Sequence, residues 1–196
     1  MTVGACRNDG RELRPPKPGQ DSSISTTSAP VDDGGISTEP TDAVIDTIPG
    51  ELLEVTAPWR DGAAIDAWHT CDGLNRSPAL SWTPAPEGTV EVAITVTDLD
   101  APGFLHWAVA GLSAASVAVG EDTVPLGAYE GTNGLGDVGY TGPCPPAGEE
   151  HLYLITVHYL GSSTGLADGV DGDELVGAIE AAELASAGVT GRFSRP

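Results

Sequence analysis

Basic residues are scarce in this 196-residue chain: eight Lys and Arg stand against 29 Asp and Glu, a formal net charge of −21. A protein that neutralises nucleic-acid phosphates needs a basic stripe, and none is available, so nucleic-acid binding is excluded. Docking on anionic lipid through a polybasic face is excluded for the same reason. Four of the bases (Arg7, Arg11, Arg14 and Lys17) cluster near the start, which leaves Arg60, Arg76, Arg192 and Arg195 against 21 acids from Glu51 onward. An anion bound by that part must be held by local geometry, because the overall field repels it. Aromatic residues are also few, at 5%, and no apolar run approaches the 18 or so residues of a membrane-spanning helix. The length suits one well-packed domain and falls short of two.

What is present changes character along the chain. Residues 7–48 form an acidic linker rich in Ser, Thr, Pro, Asp and Gly, with almost nothing to bury. Such a segment cannot offset the entropy of ordering it, so it is expected to be disordered. Residues 49–196 carry the folded domain. Residues 1–6 hold Val3-Gly4-Ala5-Cys6, the shape of a lipobox, in which small residues precede a cysteine destined for lipidation. The apolar run of a signal peptide is missing, since only Met1 and Thr2 precede the pattern. Either the gene starts upstream and Cys6 is a lipid anchor of an exported protein, or Cys6 is an ordinary cysteine of a cytoplasmic one. A lipid at Cys6 is the only route to a membrane that the sequence offers.

From Glu51 the apolar residues fall into period two, which marks half-buried strands. Val90, Val92, Ile94 and Val96 alternate with Glu91, Thr95 and Thr97, which predicts a core face and a wet face. Asp98 ends this strand on the core-facing side, where a carboxylate is costly unless paired or hydrogen-bonded; it is therefore a site candidate. Leu105–Leu112 and His151–Leu160 are further strands, and His151 and Tyr153 lie together on one face of the second. Leu52–Ala57 and Ala79–Trp82 are weaker strands, while the clusters at 84–88 and 141–148 mark turns. Leu175, Ile179 and Ala182 predict a helix over Asp173–Ala187. His69 and His158 read as structural, the four Trp residues as core or pocket wall, and Asp72 and Asn75 equally as turn residues or pocket rim.

Three segments resemble the motifs of the phosphatidylethanolamine-binding-protein (PEBP) family, in its bacterial Raf-kinase-inhibitor-like branch. They are Cys71-Asp72-Gly73-Leu74-Asn75-Arg76-Ser77-Pro78, then Asp98-Leu99-Asp100-Ala101-Pro102 with His106-Trp107, then Gly139-Tyr140-Thr141-Gly142-Pro143-Cys144-Pro145-Pro146 with His151-Leu152-Tyr153. The resemblance runs from about Leu52 to Phe193. It implies a mostly β, Greek-key β-sandwich with a C-terminal helix and a few short peripheral helices. It also implies a shallow pocket formed by Asp98, His106, His151 and Tyr153, bordered by Asp100, Pro102, Cys144, Pro145 and Pro146. Imidazoles and a phenol donate to phosphate oxygens, and a neighbouring carboxylate favours the charged imidazole. Two positions depart from the family pattern: Leu99 replaces a proline, and Leu152 replaces an arginine that would steady a neighbouring acid.

By that resemblance the expected ligand is a phosphorylated or otherwise anionic small molecule, such as a phospholipid headgroup. No cofactor or metal is implied. Cys71 and Cys144 fall in motifs that the fold should bring together, as a disulfide if the domain is exported and as buried thiols if it is cytosolic. An interaction role, as an inhibitor of a kinase or protease, is the alternative. A hydrolase using Asp98, His106 and His151 ranks below both, because neither a nucleophile elbow nor a paired-His metal motif is present.

Overall fold

The computed structural model of the chain describes residues 52–196. The lipobox-like segment with Cys6 and the polar linker of residues 7–48 lie outside the described residues. The strands are β1 (Val55–Thr56), β2 (Ala63–Ala64), β3 (Leu80–Trp82), β4 (Glu91–Asp98), β5 (Leu105–Ser113), β6 (Ala118–Val119), β7 (Tyr129–Glu130), β8 (Glu150–Leu160) and β9 (Glu183–Ser194). The helix α1 spans Gly172–Ala182.

Two open sheets result. The larger has the order β2-β9-β8-β4-β5-β7 and the smaller β1-β3-β6. Non-consecutive neighbours in the large sheet reflect the Greek-key path, and all its pairs are antiparallel except β2 with β9. Val92, Ile94 and Val96 of β4 join Trp107 and Val109 of β5, Ile155, Val157 and Tyr159 of β8, and Leu80 and Trp82 of β3 in the main core. The predicted alternation of β4 and β8 thus supplies one inner face of the sandwich.

The opposite face of β4 is not wet, contrary to the expectation from its polar residues. Glu91 and Thr95 are buried, and Ala93 is fully enclosed with Leu105, Ala108, Leu160, Leu175 and Ile179. The cause is α1, whose Leu175 and Ile179 press on that face, so the centre of the large sheet is covered on both sides. Val90, expected inside, lies before the strand and is exposed. The buried polar residues there are satisfied within the protein. Glu91 accepts from the Gly111 amide (3.1 Å), Ser163 Oγ (2.6 Å) and Thr164 Oγ1 (2.6 Å). The Thr95 hydroxyl meets His158 Nε2 at 2.9 Å, and His158 Nδ1 is bonded to the Glu183 carboxylate.

The helix begins at Gly172, one residue before the expected start, with Asp171 as its cap accepting from the amides of Asp173 and Glu174. It stops at Ala182, five residues before the predicted end, and the chain passes directly into β9. Residues 183–194 pair with β8 along its whole length, from Leu160 opposite Glu183 to Glu150 opposite Ser194. That ladder overrides the helical tendency of the Ala-rich stretch.

Candidate functional site

At one end of the large sheet, β4, β5 and β8 each deliver a polar side chain to one place. Asp98 closes β4 directly opposite Tyr153 of β8, and His151 lies two residues earlier on the same face of β8. His106 arrives by a different route. On β5, Leu105 pairs with Thr97 and Trp107 with Val96, so His106 is the extra residue of a β-bulge. Regular alternation would aim it away from the face that carries Trp107; the bulge turns it toward Asp98 and Tyr153. Its ring meets the Tyr153 ring edge-on, centroids 5.2 Å apart, and lies 4.7 Å from Phe104.

Asp98 organises the group. Its Oδ1 accepts from the amides of Asp100 (2.8 Å) and Ala101 (3.0 Å), fixing the turn that follows β4. Its Oδ2 accepts from His151 Nδ1 at 2.7 Å, and His151 Nε2 faces Glu149 Oε2 at 3.4 Å. The Asp98 hydrogen bond raises the His151 pKa above its ordinary value, so the pair favours an imidazolium on a carboxylate. His106 is different. Burial lowers its pKa, against smaller opposing effects of the Thr141 carbonyl and Asp98. The two histidines therefore differ in proton affinity within a single site.

The third wall is the loop after Tyr140. Thr141 donates its amide to the His106 carbonyl (2.9 Å), and the Thr141 carbonyl accepts from His106 Nδ1 (2.7 Å). The loop is secured from behind by the Cys71–Cys144 disulfide, with its Cα atoms 5.4 Å apart. Asn75 Oδ1 accepts from the Gly142 amide (2.7 Å), and Tyr140 donates to the His69 carbonyl (2.7 Å). Asn75 and Asp72 are thus fastenings rather than rim, Asp72 taking the Arg195 guanidinium at 3.0 Å.

These elements enclose a cavity of about 420 Å³ lined by Asp98, Ala101, Phe104, His106, Leu135, Thr141, Gly142, Cys144, Pro145, Pro146 and His151. Six residues expected from the sequence are on its wall: Asp98, His106, His151, Cys144, Pro145 and Pro146. Three are not. Tyr153 lies behind the wall, its ring packed on those of His106 and His151, and its hydroxyl is buried with no hydrogen-bond partner among the described residues. Burial, with Asp98 nearby, raises its pKa well above the ordinary phenol range, so it stays protonated. Asp100 turns its carboxylate to the Leu152 amide at 2.6 Å, which supplies the neighbour that the missing arginine would have provided. Pro102 is exposed in the turn.

Phe104, Leu135, Thr141 and Glu149 were not anticipated. Glu149 had a readable signal, since it stands two residues before His151, just ahead of the strand that carries it. The rest come together only through the bulge and the loop, which period-two reading does not reveal. Among the described residues, no group of three His, Cys, Asp or Glu side chains is placed to hold a metal ion.

An open β-sandwich with a pocket that sets two histidines and a carboxylate among apolar walls at the end of its large sheet, closed by a disulfide-fastened loop, is the architecture of a small-ligand-binding domain. The model of the phosphatidylethanolamine-binding protein family matches residues 55–194, and the chain belongs to that family. It is 32% identical over 200 residues to LppC of Mycobacterium tuberculosis, a protein whose name describes it as a lipoprotein, covering 98% of this chain and 90% of LppC. It is 35% identical to a UPF0098 protein of Aquifex aeolicus, covering 74% and 91% of the two chains. Among solved structures, Escherichia coli YbcL, described as a new member of the mammalian PEBP family, superposes with a TM-score of 0.69 at 30% identity. That match covers 74% of this chain and 99% of YbcL. A Chlamydia trachomatis PEBP homolog, CT736, gives a TM-score of 0.67 at 26% identity, covering 74% and 98%.

Proposed function

We propose that the domain is a binding module for a small anionic ligand carrying a phosphate or comparable group, seated between His106 and His151. The observation that carries this reading is the convergence of two imidazoles from separate strands on one cavity, with Asp98 orienting one of them. The Ala101, Phe104, Leu135 and proline walls leave room for a substituent beyond the anion, because the cavity is several times the volume of a water molecule. Family membership supports a ligand-binding role of the PEBP type.

Calorimetric titration of the full chain with inorganic phosphate, acetate and phosphoethanolamine tests this. Saturable binding is expected for at least one phosphate, and His106→Ala, which removes the ring nitrogen on the cavity that no protein group engages, should weaken it roughly ten- to hundredfold. No binding of any of the three rejects the reading.

Tethering is proposed on separate grounds. A relative named as a lipoprotein, Cys6 behind small residues, and a disulfide of the kind that persists in oxidising compartments all fit a domain hung outside a membrane by a lipid on Cys6. Expressed from its natural gene, the protein should fractionate with membranes and the Cys6→Ser form should not; equal partition of both forms rejects the anchor.

A further inference from the structure

The two histidines on the cavity differ in the partners of their ring nitrogens. His106 Nδ1 lies 2.7 Å from the Thr141 carbonyl oxygen, and a carbonyl only accepts. Nδ1 therefore carries a proton, and in the neutral ring Nε2 carries a lone pair. Nε2 has no hydrogen-bond partner among the described residues and is not closed off from the cavity that His106 lines. A lone pair facing an incoming anion repels it. His151 cannot compensate, because its charge is matched by Asp98 at 2.7 Å and by Glu149 at 3.4 Å.

We infer that the pocket takes up one proton from solvent with each anion, and that the proton resides on His106 Nε2, which becomes the anion's donor. This rests on the anion-binding reading above and adds the protonation state in which the site works. The groups facing His106 agree with it. From β4 comes Asp98, already engaged by His151; from β8 come His151 and the protonated Tyr153. The loop residues that line the cavity bring no titratable group, because Cys144 is in the disulfide. Burial opposes a charge on His106 in the ligand-free chain, and a bound anion supplies the opposite charge that offsets this cost. The site is thereby tuned to bind more tightly as its surroundings acidify.

The test uses inorganic phosphate and the full chain. Titration at pH 8 in buffers of different ionisation enthalpy should report uptake of about one proton per phosphate, and Kd should rise about tenfold per pH unit above neutrality. Nitrogen NMR of the histidine rings should show His106 Nε2 unprotonated without phosphate and protonated at saturation. His106→Asn, whose amide nitrogen takes the place of Nδ1 and keeps a donor for Thr141, should lose the proton uptake and the pH dependence. Binding without proton uptake overturns the inference and leaves the anion pocket standing. So does uptake with Nε2 still unprotonated, which would place the proton on the phosphate. No phosphate binding at any pH removes the anion pocket and this inference together. If the variant does not fold, the nitrogen spectra of the natural chain decide the matter.

Discussion

Asp98 and His151 are joined Oδ2 to Nδ1 at 2.7 Å across the end of two neighbouring strands, while Asp98 Oδ1 holds the turn that follows β4. One carboxylate thus sets both a local turn and a long-range charge pair. With Glu149 on the other ring nitrogen, His151 is held against the cavity wall in a fixed orientation, and the Asp98 bond favours its charged form.

Replacing Asp98 with Asn should cost about 2 kcal/mol, the scale of a partly buried hydrogen bond to a charged group. The cost should depend on pH with a definite sign. His151 has a folded pKa raised above its unfolded value near 6.5, so its contribution is complete below that value and fades as pH rises through the folded pKa. Thermal melts of the two forms should therefore differ more at pH 6 than at pH 8.5. An equal difference at both would mean that His151 is not the titrating partner.

The disulfide closes a loop between residues 73 positions apart, which in the chain-entropy model stabilises the fold by roughly 4 kcal/mol. Reduction, or the double change Cys71→Ser and Cys144→Ser, should lower the denaturation midpoint accordingly. Because Cys144 also forms cavity wall, phosphate affinity should fall as well. Unchanged affinity would show that the Asn75, Tyr140 and Thr141 hydrogen bonds alone keep the loop in place.

Gly142 packs directly against the segment from His69 to Asn75, which includes the start of the first motif. A Cβ there would lie 2.4 Å from the His69 carbonyl oxygen and 2.8 Å from Asn75 Oδ1, neither of which is free to move. Gly142→Ala should destabilise the domain by about 2 kcal/mol and weaken phosphate binding, since the shifted residue lies on the cavity wall. A fully stable variant would place the two loops further apart than described.

Glu91 offers a control remote from the pocket. It is buried on the helix-covered face and takes three hydrogen bonds, so Glu91→Ala leaves the Gly111 amide and two hydroxyls without their acceptor. A loss of about 3 kcal/mol in urea unfolding is expected, with phosphate affinity preserved in the folded fraction. Loss of affinity in stable, folded Glu91→Ala would couple the two ends of the sheet.

Much of this was legible in the sequence, for physical reasons. Val92, Ile94, Val96 and Asp98 share a face because strand geometry has period two, so the core and the pocket carboxylate were readable together. His151 and Tyr153 followed by the same rule. Tyr153 shows its limit: periodicity placed the residue on the right face but could not tell the wall from the layer behind it. The dry far face of β4 was hidden because Glu91 and Thr95 look wet; their burial depends on Ser163, Thr164 and His158, more than 60 residues away. β9 was hidden for a similar reason, since small residues carry no strand pattern until β8 pairs with them. The aim of His106 came from a bulge, which is a property of two strands rather than of one sequence.

The most direct test of the central claim is a crystal structure of the full chain grown with phosphate. The account predicts phosphate in the cavity, within hydrogen-bond distance of His106 Nε2, with the Asp98–His151 bond intact. A cavity without phosphate, in crystals of a chain that binds phosphate elsewhere or not at all, would contradict it.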